Sequence, residues 1–180
     1  YIKARARRHG IALKWGRNGS EPSVYNSRLF IAERTIDYPK WEIHGRHIVD
    51  TWILSQFYDI SSRELEGLGL KEMAQHFGLA SEDRTYIEGS QISRVYDETP
   101  DVLRRYALDD VRETRALSAL LTPSYFIQAQ IFPYNFQDVV VRGNATKINS
   151  LFLREYLRQR HSLPAPPGEA TEFAGGYTAM

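Results

Sequence analysis

Thr99-Pro100-Asp101-Val102-Leu103-Arg104-Arg105-Tyr106-Ala107-Leu108-Asp109-Asp110-Val111 opens the most legible element of the chain, a helix expected over 100–121. Thr99 is placed to cap it, and Pro100 fits the first helical position, where no amide hydrogen is needed. Asp101 complements the positive end of the helix dipole, and Thr122-Pro123 closes the far end. At 100° per residue, Leu103, Tyr106, Ala107, Val111, Thr114, Leu117 and Leu121 form one stripe expected to face the core, and Asp110 falls inside it. Asp109, Arg104, Arg105, Arg112, Glu113 and Arg115 fall on opposite or flanking surfaces, with Asp109 expected to face solvent. An inward ionised carboxylate costs on the order of several kcal/mol unless a cation, a metal or hydrogen-bond donors compensate it. Asp110 therefore needs a partner, and Tyr106, one turn earlier on the same side, can address the same site. Two readings stay open here: a catalytic or metal-binding Asp110, or a structural one bonded to backbone or to a buried Arg.

Before this helix the pattern is mixed. Residues 1–9 read as a helix stopped by Gly10, and Gly16 to Ser27 reads as a loop rich in Gly, Asn, Ser and Pro. Leu29 to Ala32 is a short apolar strand, and Trp41–Ile43 and His47–Val49 are expected to pair as a hairpin around His44-Gly45-Arg46. Asp50-Thr51 can cap a helix over 52–57, and further helical patterns cover 70–77 and 92–96. After it, helices are expected over 124–132 and 145–161. Ser162 to Thr171, with three prolines and a glycine, reads as a linker. Strands followed by helices make the fold class α/β, with an all-helical part behind it.

Composition narrows the classes. With 180 residues, 42% hydrophobic and 25% charged, the chain is made like a globular domain. There is no cysteine, so disulfides and thiolate metal sites are excluded. No apolar run reaches the roughly 18 residues of a membrane span, and nothing points to secretion. The formal net charge is +1, but Lys3, Arg5, Arg7, Arg8, His9, Lys14 and Arg17 make the beginning basic, either as a solvated face or as one that meets phosphates. The opening reads as the middle of a helix without a cap, so the chain is expected to be an internal fragment.

Tyr106-Ala107-Leu108-Asp109-Asp110, between Arg105 and Val111, resembles the third exonuclease motif, Tyr-x-x-x-Asp, of family B DNA polymerase proofreading domains. Gly45-Arg46-His47-Ile48-Val49-Asp50 resembles the segment after that family's second exonuclease motif, and Gly69-Leu70-Lys71-Glu72-Met73-Ala74 resembles its next helix. Gly143-Asn144-Ala145 with Ile148-Asn149-Ser150-Leu151-Phe152-Leu153 is similar to the helix joining exonuclease to palm. Gly175-Gly176-Tyr177 is similar to the element before the first palm motif. The likeness is collinear over the whole chain.

The resemblance implies the C-terminal part of a DEDDy-type, RNase H-like 3′–5′ exonuclease domain over 1–121, a helical connector over 122–161, and a linker and entry to the palm over 162–180. The parent would be a DNA-directed DNA polymerase with proofreading, acting on a single-stranded primer 3′ end, primer-template and deoxynucleotides. A sliding clamp is a possible partner, and the setting a cytoplasmic nucleoid or viral replication complex. In such exonucleases four carboxylates hold two Mg2+ or Mn2+ ions about the scissile phosphate. Asp110 would be one metal ligand and Tyr106 would orient the attacking water. The first motif, Asp-x-Glu, is absent from the chain, and the second, ending in Phe-Asp, would stand just before Tyr1. The fragment alone is therefore expected to be inactive.

Other residues carry plainer readings. Asp50 is expected to be a helix cap, and Arg94 a solvated or salt-bridged side chain that can also approach DNA phosphate. His44, His47 and His76 do not share a short ligand spacing on one face, and zinc is not expected. Tyr125, Phe126, Phe132, Tyr134 and Phe136 are expected in packing rather than base stacking. Gly175, Gly176 and Tyr177 form either a DNA-contacting turn or a hinge. The competing functions are a stand-alone RNase H-like 3′–5′ exonuclease and a noncatalytic DNA-binding derivative.

Overall fold

The computed structural model describes residues 1–31, 34–62, 65 and 67–163. The chain falls into two compact units, Tyr1–Arg142 and Gly143–Met180, the second described as far as residue 163. The break lies inside the stretch expected to be connector. The architecture is mixed α/β: in the first unit, α1 (Ile2–Arg8), β1 (Ser23–Ile31), β2 (Arg34–Glu42), α2 (Thr51–Ser62), α3 (Leu70–His76), a 3₁₀ turn (Gly89–Gln91), α4 (Ile92–Glu98), α5 (Pro100–Leu121), α6 (Pro123–Ile131) and α7 (Phe136–Val141). The second unit has α8 (Asn144–Arg158).

Helix α1 ends as its sequence directs. Gly10 takes φ 64°, and the amides of Gly10 and Ile11 donate to the carbonyls of Arg7 and Ala6 at 3.2 and 2.8 Å. These are the two bonds of a Schellman stop, and glycine takes the left-handed turn without a Cβ penalty.

The hairpin is not where the sequence pattern placed it. β1 and β2 pair antiparallel from Ser23 with Glu42 to Ile31 with Arg34, so the expected loop over 16–27 gives way to strand from residue 23. Ser23, Asn26, Ser27 and Pro39 hide the signal, yet the alternation Leu29, Ile31 against Ile36, Tyr38 puts apolar residues on one face. Among the described residues both strands are edges, which is where a proline such as Pro39 is tolerated. His47–Val49 does not form a strand. Gln137 of α7 takes that role, donating from Nε2 to the Trp41 carbonyl at 2.8 Å and accepting from the Ile48 amide at 3.0 Å. Ile43 and Arg46 form only a single bridge about a turn in which Gly45 has φ 71°.

One core lies between the hairpin and the helices. Leu29 and Ile31 of β1, Ile53 and Leu54 of α2, and Val139 and Val140 of α7 are its buried members. Tyr125, Phe132, Tyr134 and Phe136 pack partly buried against it, as expected, whereas Phe126 is 56% exposed and only meets Phe136 edge-on. Asp50 accepts from the Trp52 amide at 2.9 Å, as a cap of α2 should. Helix α5 packs on α2, α3, α4 and α6 and so forms the spine of the first unit. Among the described residues, no helix is long and apolar enough to cross a membrane.

Candidate functional site

Helix α5 spans Pro100 to Leu121 with Pro100 in its first turn, in agreement with the sequence, but the Thr99 side chain makes no capping hydrogen bond. Its inward face, however, is rotated from the apolar stripe. Glu113 and Leu117 are the buried residues, Tyr106, Asp109 and Asp110 are half-buried, and Ala107, Val111 and Thr114 are exposed. The rotation brings in Glu113, expected on a flanking surface, because a cation awaits it. Arg84, delivered by the loop after α3, has a side chain only 1% exposed.

That guanidinium is the hub of the site. Its Nε and Nη2 donate to the two carboxylate oxygens of Glu113, the Nη2 bond at 2.8 Å, and Nη2 also donates to Asp110 Oδ1 at 2.7 Å. Nη1 donates to the Thr85 carbonyl at 2.9 Å. The hydrogen bond to Glu113 raises the Arg84 pKa above the usual guanidinium value, against the opposing effect of burial. Buried bidentate pairing of this kind is what the planar fork of arginine provides.

Tyr106 stands beside the hub. Arg84 Cζ lies 5.8 Å and Lys71 Nζ 5.3 Å from its ring centroid, and the same cations lie 4.6 and 5.6 Å from that of Tyr86. The expected neighbourhood of Tyr106 and Asp110 is thus real, and its organiser is the buried Arg of the structural reading. Asp109 corrects the sequence reading: its side chain is 14% exposed against 34% for Asp110. Its carboxylate accepts from the Thr85 amide at 3.1 Å and from Arg112 at 3.4 Å. It anchors the loop that carries Arg84 and is no bystander.

The remaining candidates lie elsewhere or apart. Arg94 is exposed on α4, 3.6 Å from Glu98. Gly175, Gly176 and Tyr177 lie outside the described residues. The three histidines are separate: His76 meets the Tyr58 hydroxyl at 3.0 Å, His47 packs on Phe136, and His44 sits in the Gly45 turn. Arg84, Glu113, Lys71 and Tyr86 were not singled out from sequence. The spacing Asp110 to Glu113, one turn, was the available signal for Glu113; Arg84, inside Ser81-Glu82-Asp83-Arg84, carried none.

Two divalent ions require several oxygen ligands each, at roughly 2.0–2.6 Å. In this cluster Arg84 holds both Glu113 oxygens and Oδ1 of Asp110, while Asp109 is held by Thr85 and Arg112. Asp110 Oδ2 is the carboxylate oxygen left without a hydrogen bond among the described residues. No group of three or more His, Asp or Glu among the described residues is placed to hold a metal ion. The carboxylates present therefore do not by themselves fit a pair of divalent cations.

Compared with known proteins, the chain matches no family model and no curated protein.

Proposed function

We propose that the chain is part of a family B DNA-directed DNA polymerase, spanning the C-terminal part of an RNase H-like, DEDDy-type 3′–5′ proofreading exonuclease and the connector towards the palm. The observation that carries this is the pairing of Tyr106 and Asp110 one turn apart on the inward side of α5, with Asp110 Oδ2 left open, within the collinear order of the other motifs. On this reading Asp110 and Tyr106 belong to the site that shortens a mispaired primer end. The other carboxylates and the Mg2+ or Mn2+ ions they would hold come from outside the described residues.

A second feature supports the reading. Ala107, Leu108, Val111 and Thr114 lie exposed on α5, with Val111 64% exposed, although Leu103 to Leu121 otherwise reads as a core helix. A helix apolar on two sides is one built to be covered on both. A sheet carrying the missing carboxylates would cover that side, next to Asp110.

The reading is tested in the parent protein. Asp110→Ala should lower excision of a mispaired primer end by at least two orders of magnitude with polymerisation largely kept, and Tyr106→Phe should act more mildly. Equal loss of both activities, or an adjoining reading frame without Asp-x-Glu and Phe-Asp upstream, sinks it. The noncatalytic DNA-binding reading has one observation in its favour, the guanidinium seated on Asp110. Excision unchanged by Asp110→Ala would select it.

A further inference from the structure

The charge of the chain is not spread evenly. Six cations and no carboxylate precede Glu21, so that stretch carries +6 while the whole chain is +1 and the remainder is −5. Arg5, Arg7 and Arg8 of α1, and Lys14 and Arg17 after it, are exposed. None of them forms an ion pair among the described residues; elsewhere Arg28, Lys40, Arg84, Arg94, Arg112 and Arg158 do, and Arg104, Arg105 and Arg115 do not, but those three share α5 with several carboxylates. Like charges left unneutralised repel one another, and a face that keeps them is stabilised by an external polyanion.

The structure also gives this segment a fixed seat. The Arg17 amide donates to the His44 carbonyl at 2.9 Å, and Arg46 Nε donates to the Trp15 carbonyl at 2.9 Å. The Arg17 side chain runs so close over Gly45 that a Cβ there would lie 2.8 Å from Arg17 Cδ. Trp15 stacks on Trp41 with centroids 6.0 Å apart, which ties the segment to β2. Lys14 and Arg17, after α1, are thereby held beside Arg46, whose terminal nitrogens form no ion pair among the described residues.

We propose that α1, the segment to Arg17, and Arg46 form a binding face for the phosphate backbone of nucleic acid, separate from the Arg84–Asp110 cluster. Arginine predominates, and its planar donors suit phosphate oxygens. A membrane surface is the poorer fit: α1 has seven residues, turns its one buried residue, Ala6, inward, and presents Ile2 as its only large apolar side chain, to which the flanking Tyr1 and Ile11 add two more, against five exposed cations. Insertion into a bilayer interface needs a broad apolar face.

The test uses the 180-residue chain and fluorescein-labelled 20-nucleotide oligomers, single-stranded and duplex, with anisotropy read at several salt concentrations. Affinity should fall steeply with salt. Arg5→Gln, Arg7→Gln and Arg8→Gln together should weaken binding at least ten-fold and lower the log–log salt slope by about 2 on single strands and about 3 on duplex, since each phosphate contact contributes about 0.7 and 0.9 respectively. Glutamine keeps the helix propensity of arginine, and circular dichroism checks the fold. Arg158→Gln, on α8, should change nothing, and preference for either strand form is compatible with the face. Unchanged affinity and slope in the triple variant, no binding of either oligomer, or binding to phosphatidylserine vesicles without oligomer binding each overturn the proposal. Its failure leaves the excision test of Asp110 untouched, and the reverse holds too.

Discussion

Arg84 and Glu113 are the residues on which the candidate site depends, and neither stands out in an apolar pattern. Their ion pair is buried, with side chains 1% and 4% exposed. Removing one partner leaves the other charged and unpaired, so Glu113→Ala should destabilise the chain by about 3–5 kcal/mol in denaturant melts. Asp109→Ala, which loses one bond to the Thr85 amide, should cost about 1 kcal/mol. If Asp109→Ala proved neutral and Glu113→Ala mild, Arg84 would not be the hub. A hydrophobic wheel could place Tyr106 and Asp110 on one face, but it could not weigh Glu113, whose burial depends on a cation that arrives from 29 residues away. Elsewhere, burial pushes the Tyr125 hydroxyl pKa up. A folded pKa above the unfolded one means the contribution is complete below about pH 10 and is lost as pH rises through the folded value. Thermal melts should therefore show stability falling above pH 10, and Tyr125→Phe should reduce that fall.

Among the elements, α5 and α1 were legible because their end signals are local: Pro100 at the start of one, Gly10 at the close of the other. Helix α7 was not, since Val139-Val140-Val141 reads as strand and the helix has only six residues. Its signal was Asn135, whose Oδ1 accepts from the Asp138 amide at 2.9 Å while its Nδ2 donates to Asp138 Oδ2 at 2.7 Å. Asn135→Ala should cost about 1 kcal/mol through loss of this cap. Gln137→Ala removes both bonds by which α7 holds the Trp41 carbonyl and the Ile48 amide. It should raise hydrogen exchange at Ile48 more than at Ile53; equal protection before and after would show that Gln137 does not hold the segment.

Across the molecule, the buried members of the core come from β1, α2 and α7, which lie far apart in the chain. Exchange protection should accordingly be greatest at Ile53, Leu54, Val139 and Val140 and least in α1 and α4, which bury Ala6 alone and nothing. Native-state exchange mass spectrometry checks that order. The sequence by itself determined the mixed α/β class, the long helix with its ends, the Asp50 cap, the closeness of Tyr106 to Asp110, and the concentration of positive charge before Glu21. These rest on local propensity and on spacing along one helix, which need no knowledge of neighbours. Only the tertiary structure decided the register of the hairpin, the inward turn of Asp109 and Glu113, and the seating of Arg84 between two carboxylates. Each of those depends on which distant group satisfies a buried charge or an unpaired peptide, and that is set by packing rather than by sequence spacing.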